Sequence, residues 1–294
     1  MNFFTPTDAQ FYRGGHTTVN FYNHHCASRR EKYEYDIDNE YSKHIDEVNA
    51  IGYSKIENFF DLNNLDVFKH EVLDKFKNKS HTRLVQNNTH EQINEPYLNT
   101  KHAFNLATDE RFIKMASQFF NCLPGLGTCN LRKSFVNQNA PSGTGMFHRD
   151  FNSPVKILKF FIYLDDVKLE NGPFTYVEGS NRQMPSNPHW SKFHRWSDKD
   201  IEKVYGSDRI KYLTANYGDL LIATTNGFHK GLKIQKGERY MFTINYLIHP
   251  EIEGGDIRTA KNRFYVKQSS VDALPEWKRP VADFLIKVQD DHIR

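Results

Sequence analysis

Apolar and polar positions begin to follow a regular pattern near residue 50. Ala50-Ile51-Gly52-Tyr53-Ser54-Lys55-Ile56 alternates with period two and predicts a short strand. Asn58-Phe59-Phe60-Asp61 then leads into a helix, because Leu65, Phe68, Val72 and Phe76 recur at intervals of three and four and share one face. Asp61 or Asn63 is placed to cap it. A second amphipathic helix is predicted from Asp109 to Asn121, with Phe112, Met115, Ala116, Phe119 and Phe120 facing inward. Thr108 is its expected cap, and Leu123-Pro124-Gly125 its stop signal.

Beyond that point strands replace helices. Asn130 to Val136 reads as one, and 139–145 as a flexible loop. Val155 to Leu164 is apolar on nearly both faces, as a central strand would be, and Lys159 is its only interior charge. Lys159 is expected to lie at an edge or to snorkel, the other reading being that it reaches a site with an anionic ligand. Glu170-Asn171-Gly172-Pro173 is a turn, followed by strands over Phe174 to Val177, Asp219 to Thr224 and Glu238 to Ile248. In the last of these, Arg239, Met241, Thr243 and Asn245 share one side, and Tyr240, Phe242, Ile244 and Tyr246 the other. A buried arginine on a face with small polar residues needs an anion, either a carboxylate of the protein itself or one on a ligand. Early helices and late strands predict an α+β chain, mainly β, built around a sandwich or barrel. The stretch 182–211 interrupts the strands with Trp190, Phe193, His194 and Trp196, then a helical Asp198 to Tyr205. A connection of that length inside a β domain is expected to be a lid or a docking surface.

Composition narrows the class further. The 294 residues are expected to form a single domain over 1–294, with 1–44 as a polar extension packed on it. With 38% hydrophobic and 26% charged residues the chain reads as soluble and globular. Lysine and arginine exceed the acidic residues by only 3, which argues against a nucleic-acid partner. Three cysteines, Cys26, Cys122 and Cys129, with no Cys-x-x-Cys, suit a reducing compartment. The first residues lack a basic and apolar leader and no apolar run approaches membrane-spanning length, so a cytoplasmic location is expected. His16, His24, His25 and Cys26 lack the paired spacing of a zinc motif, and Arg29-Arg30-Glu31-Lys32 reads as a solvated face.

The chemistry centres on Met146-Phe147-His148-Arg149-Asp150. In an extended segment residues i and i+2 point the same way, so His148 and Asp150 would converge on one point. A further histidine completes a two-His, one-carboxylate set for non-haem Fe(II), with three positions left open. His229, in Thr225-Asn226-Gly227-Phe228-His229-Lys230-Gly231, is the candidate. His-x-Asp alone is more often a surface turn; the order of the segments around it raises its weight.

That order is Ile51-Gly52-Tyr53, His148-Arg149-Asp150, Glu170-Asn171-Gly172-Pro173, Glu178-Gly179-Ser180, Gly218-Asp219-Leu220-Leu221, His229, Arg239. It resembles the phytanoyl-CoA dioxygenase-like branch of the Fe(II)- and 2-oxoglutarate-dependent oxygenases, over roughly residues 45 to 250. The resemblance implies a double-stranded β-helix (jelly-roll, cupin-like) core flanked by N-terminal helices. It implies His148, Asp150 and His229 as catalytic iron ligands, and Arg239, with Thr243 on the same face, as the 2-oxoglutarate site. The implied reaction couples dioxygen and 2-oxoglutarate to hydroxylation of a small organic substrate, releasing succinate and carbon dioxide; desaturation or ring closure would use the same iron. Retention of Asp150 points away from the halogenases of this branch. Gly179-Ser180-Asn181 and Lys230-Gly231 depart from frequent family residues, the second close to the expected 2-oxoglutarate pocket. Lys192, Arg195 and Lys199 in the insert are expected to be solvated, the other reading being that they meet a phosphate or carboxylate on the substrate. Two other readings stand beside the oxygenase: a cupin-like metalloenzyme without a cosubstrate, and a non-catalytic jelly roll that binds a carbohydrate or protein.

Overall fold

The structure, a computed structural model, describes residues 3–4, 26–32, 40–85, 89–150, 157–185, 195–248 and 264–290. Its helices are α1 (26–32), α2 (Ser42–Ile51), α3 (Leu62–Lys77), α4 (Glu110–Phe120) and α5 (Asp198–Tyr205), besides a few single turns. The strands that build the core are β1 (Tyr53–Ile56), β2 (Thr82–Val85), β3 (His90–Ile93), β4 (Gly125–Phe135) and β5 (Leu158–Tyr163). They continue with β6 (Phe174–Val177), β7 (Ile210–Leu213), β8 (Leu220–Thr224), β9 (His229–Gly231) and β10 (Glu238–Leu247).

Two antiparallel sheets face each other. The larger has seven strands in the order β1-β8-β5-β10-β4-β3-β2, and the smaller has three in the order β9-β6-β7. This is a jelly roll with helices on one side. The face of the large sheet that carries Phe160, Ile162, Ile222, Phe242, Ile244 and Tyr246 packs on α2, α3 and α4 in one continuous apolar cluster. The opposite face, with Phe161, Tyr163, Leu221 and Ala223, packs on Phe174 and Tyr176 of the small sheet. The predicted phase of the last strand is therefore the observed one: Tyr240's side faces the helices, and Arg239's side faces the space between the sheets.

Helix α3 buries Leu65, Phe68, Val72 and Phe76, the four positions that the periodicity selects, and Asp61 caps it by accepting from the Asn64 N–H at 3.0 Å. Helix α5 begins with a capping box in which Ser197 and Asp200 satisfy each other's backbone N–H. Two expectations about these helices need correction. Ala50 and Ile51 end helix α2 and do not begin a strand; Gly52, at φ 103°, closes that helix by donating its N–H to Val48 O at 2.9 Å. The cap of α4 is Asp109, whose carboxylate accepts from the Arg111 N–H, whereas the Thr108 hydroxyl donates back to Phe104 O in the turn before it. That helix ends on Asn121, where the pattern places its end, in the left-handed region at φ 53°.

Arg29 is not on a solvated face. Only 8% exposed, it lies in α1 and donates to the carbonyls of Leu123, Pro124 and Pro280, with Asp283 at 3.5 Å. It therefore ties α1 to the C-terminal segment. That segment contributes a parallel pair, Tyr265–Lys267 with Ile286–Val288, which the hydrophobic pattern does not signal. Cys26, Cys122 and Cys129 are buried and form no disulfide among the described residues. No helix among the described residues is long and apolar enough to cross a membrane.

Candidate active site

His148 and His229 come from segments 81 positions apart in the chain. A pair of backbone hydrogen bonds holds them directly opposite each other, His148 N–H to His229 O at 3.0 Å and His229 N–H to His148 O at 2.9 Å. Asp150 N–H donates to Thr225 O at 2.9 Å, two residues off the register of the His148–His229 pair, and its carboxylate comes to the same side as both imidazoles. Each imidazole is fixed from behind: Nδ1 of His148 lies 2.9 Å from Met146 O, and Nδ1 of His229 lies 2.9 Å from Gly227 O. A carbonyl can only accept, so each Nδ1 carries the proton and each Nε2 presents a lone pair. Those Nε2 atoms face the Asp150 carboxylate, at 3.7 Å from Oδ1 for His148 and 3.5 Å from Oδ2 for His229. All three donor atoms lie within 4.8 Å of one another.

Lys159 corrects the expectation of an edge or snorkelling side chain. Strand β5 is central, between β8 and β10, and the lysine projects from its inner face to place Nζ 2.6 Å from Asp150 Oδ2. Burial alone would raise the Asp150 carboxyl, but Lys159, then His229 and His148, outweigh it and hold the group well below the usual carboxylate range. Burial, assisted by the charge of His229, pulls His148 down to about 3. The carboxylate is thus charged and His148 neutral, the protonation states that a divalent cation requires. Two imidazole nitrogens and a carboxylate oxygen, each imidazole fixed by a second hydrogen bond, fit a first-row metal.

These groups open onto a cavity of about 190 Å³ between the sheets. Phe161 and Phe174 stack at 4.3 Å on its wall, and Phe174 lies 5.5 Å from the His229 ring. Arg239 and Thr243 also line it, each 6% exposed. Among the described residues Nε and Nη1 of Arg239 are buried without a hydrogen-bond partner, and burial lowers the guanidinium pKa. Among the described residues no salt bridge joins Arg239 to a carboxylate of the protein. Gly231 lies beside it, where an added Cβ would come only to ordinary contact with Arg239 Nη2, at 3.8 Å. Lys230 turns away, pairing with Asp198 of α5 at 2.6 Å, which joins β9 to that helix.

Of the expected lid, Trp190, Phe193, His194 and Lys192 lie outside the described residues. Trp196 forms part of the framework, since it exchanges backbone hydrogen bonds with Phe147 at 2.8 and 3.0 Å, one residue before His148. Arg195 and Lys199 are exposed. The cavity also takes in His90, Asn130 and Arg132, which the residue patterns did not single out. Counting in twos along β4 would have found Asn130 and Arg132; His90 lies on a strand with no alternation to reveal it.

A family model for phytanoyl-CoA dioxygenase (PhyH) matches residues 48–235, well over half of the chain. The chain belongs to that family. No protein of curated function matches it in sequence. Solved structures with a similar fold include the epimerase SnoN in complex with Fe3+, alpha ketoglutarate and nogalamycin RO, 16% identical, TM-score 0.57, covering 80% of this chain and 90% of that one. The non-heme alpha ketoglutarate dependent carbocyclase SnoK from nogalamycin biosynthesis is 12% identical, TM-score 0.54, covering 72% and 86%. EctD from S. alaskensis with bound Fe is 13% identical, TM-score 0.53, covering 87% and 91%. At such identities the likeness speaks for the fold, and places this family member among jelly rolls.

Proposed function

We propose that this family member is an Fe(II)- and 2-oxoglutarate-dependent oxygenase that hydroxylates a small organic molecule. The observation that carries the proposal is the joint presence, in one cavity, of the His148-Asp150-His229 cluster and a buried Arg239 without an anionic partner. A cupin-like enzyme without a cosubstrate would need such an arginine only for an anionic substrate. Leaving a guanidinium buried and uncompensated costs several kcal/mol, roughly, so its retention calls for an anion from outside the chain. In this reading His148, Asp150 and His229 hold the iron, and Arg239 takes the distal carboxylate of 2-oxoglutarate, with Thr243 beside it on the same strand face. Relatives in fold that are named for iron and alpha ketoglutarate support it.

Bound iron and 2-oxoglutarate would supply dioxygen activation coupled to oxidative decarboxylation of the keto acid to succinate and carbon dioxide. The residues of the chain do the positioning. Met146 O and Gly227 O lock both imidazole tautomers, and Lys159 holds one oxygen of Asp150. Phe161 and Phe174 keep the wall beside His229 apolar, which limits water at the reacting centre. Hydroxylation is the default outcome. Because solved structures of this fold are named an epimerase and a carbocyclase, product analysis by mass decides among gain of one oxygen, loss of two hydrogens and no change in mass.

The test is anaerobic titration of the Fe(II)-loaded protein with 2-oxoglutarate, following the weak visible charge-transfer band of bidentate keto-acid chelation. The band should form in the wild type, and Arg239→Gln should require at least about tenfold more 2-oxoglutarate, the loss of a charge-assisted hydrogen bond. Iron binding with no band would overturn the cosubstrate half of the proposal.

A further inference from the structure

We propose that Arg132 and His90 form a second anion site in this cavity, and that it holds a carboxylate or phosphate group of the substrate. The proposal rests on the oxygenase reading and extends it to the substrate class.

Strand register places the two residues. On β4, Asn130, Arg132 and Ser134 stand opposite Thr243, Met241 and Arg239 of β10, so all six share the cavity face. On β3, His90 pairs with Ser134 and Gln92 with Arg132, which carries the same face one strand further from Arg239. Arg132 thus stands on the strand next to the one that carries the proposed cosubstrate arginine, two residues along in register.

Its partners are insufficient for a charge. Among the described residues Nε of Arg132 is buried without a hydrogen-bond partner, and Nη2 donates to Asn130 Oδ1 at a long 3.4 Å. His90 is 5% exposed; its Nδ1 meets the Thr89 hydroxyl at 3.2 Å, and its Nε2 is buried with no partner. With the hydroxyl donating to Nδ1, Nε2 carries the proton and is a neutral donor. Burial, then the charges of Arg132 and Arg239, lower His90 to about 4, which keeps it neutral. Burial and then Arg239 bring Arg132 down to about 10, so it remains a cation at neutral pH.

Charge in the cavity makes the same point. Among the described residues that line it, Asp150 is the only carboxylate, against the cations Arg132, Lys159, Arg239, Lys233 and Lys230, of which Lys230 is paired with Asp198. Lys159 neutralises Asp150. Fe(II) and the 2-oxoglutarate dianion bring equal and opposite charge, so the cavity stays cationic when both are bound. Two positive groups facing one cavity repel each other at a cost that an anion between them or beside each offsets. Arg239 takes one such group under the oxygenase reading; Arg132, with the His90 N–H, is built for another. An alkyl substituent or a neutral sugar would leave both donors desolvated and unpaired.

The test is calorimetric titration of the protein loaded with Ni(II) and 2-oxoglutarate, with hexanoate, hexyl phosphate and the neutral hexan-1-ol as probes. Either anion should bind at millimolar concentration and the alcohol should not, and preference between the anions names the source of the group. Arg132→Gln should weaken the bound anion by about tenfold or more while the 2-oxoglutarate affinity changes less than about twofold. Arg132→Lys should recover part of it, and an unchanged circular dichroism spectrum controls for misfolding. If Arg132→Gln weakens 2-oxoglutarate as much as Arg239→Gln does, Arg132 belongs to the cosubstrate clamp and the proposal fails. It also fails if neither anion binds, or if the alcohol binds as well as they do. If the wild type takes up no 2-oxoglutarate, the oxygenase reading fails separately, and titration of the metal-free protein with the two anions still reports on Arg132.

Discussion

Lys159 and Asp150 make an ion pair at 2.6 Å, with side chains only 17% and 15% exposed, beside two histidines that could bind a cation. The ammonium compensates a carboxylate that would otherwise be buried alone. Lys159→Met should therefore destabilise the metal-free protein by roughly 3–5 kcal/mol, the cost of breaking a buried pair from one side. Saturating Ni(II) should restore most of that loss, because a cation on Asp150 takes over the compensation and ligand binding stabilises the folded state. Urea midpoints with and without Ni(II) measure it; an equal loss in both conditions would mean that Lys159 acts through packing alone. Arg239 can be tested at the same scale without iron. Thermal shifts given by 2-oxoglutarate on the Ni(II)-loaded protein should shrink strongly in Arg239→Gln and remain in Thr243→Val, which keeps the charge and loses one hydroxyl.

At the scale of elements, the turn from β8 to β9 delivers His229, and Gly227 is its tightest point. A Cβ at Gly227 would run into the Tyr176 hydroxyl, which donates to Thr224 O at 2.8 Å, and into Ser180 Oγ, which accepts from the Phe228 N–H at 2.8 Å. Gly227→Ala should therefore displace the segment that carries His229 and weaken Ni(II) binding at least about tenfold, read by calorimetry; an unchanged affinity would show that Tyr176 yields instead. At the other end of the chemistry, Asp61→Ala should cost about 1 kcal/mol in urea unfolding, as an N-cap does, and leave Ni(II) affinity untouched. The contrast reflects how each element is encoded. Helices α3 and α5 are legible because their apolar spacing and caps are local. Helix α2 was hidden because its inward residues, Ile45 and Val48, precede the alternation that begins at Ala50, and Gly52 ends one pattern where it appears to sit inside another. The hairpin β2–β3 gave no signal either: all four residues of His90–Ile93 are buried, polar ones included, so period two is absent.

Over the whole molecule, α1 and the C-terminal segment meet at Arg29, far from the cavity in both sequence and role. Removing its hydrogen bonds to Leu123, Pro124 and Pro280 in Arg29→Ala should lower the melting temperature by several degrees and leave 2-oxoglutarate affinity at low temperature unchanged. A parallel loss of affinity would mean that this clasp also shapes the site. The amino-acid sequence by itself determined which faces are apolar, where α3 and α5 run, the phase of β10, and that His148 and Asp150 share a face, because each depends on spacing along a few neighbouring residues. Tertiary structure alone decided the rest. It set His148 opposite His229 through a bridge between distant segments, turned Lys159 from a supposed edge charge into the partner of Asp150, and aligned His90 and Arg132 with Arg239 across three strands. Those facts depend on strand order and register, which many segments fix together by burying one shared core, and no single stretch of sequence carries them.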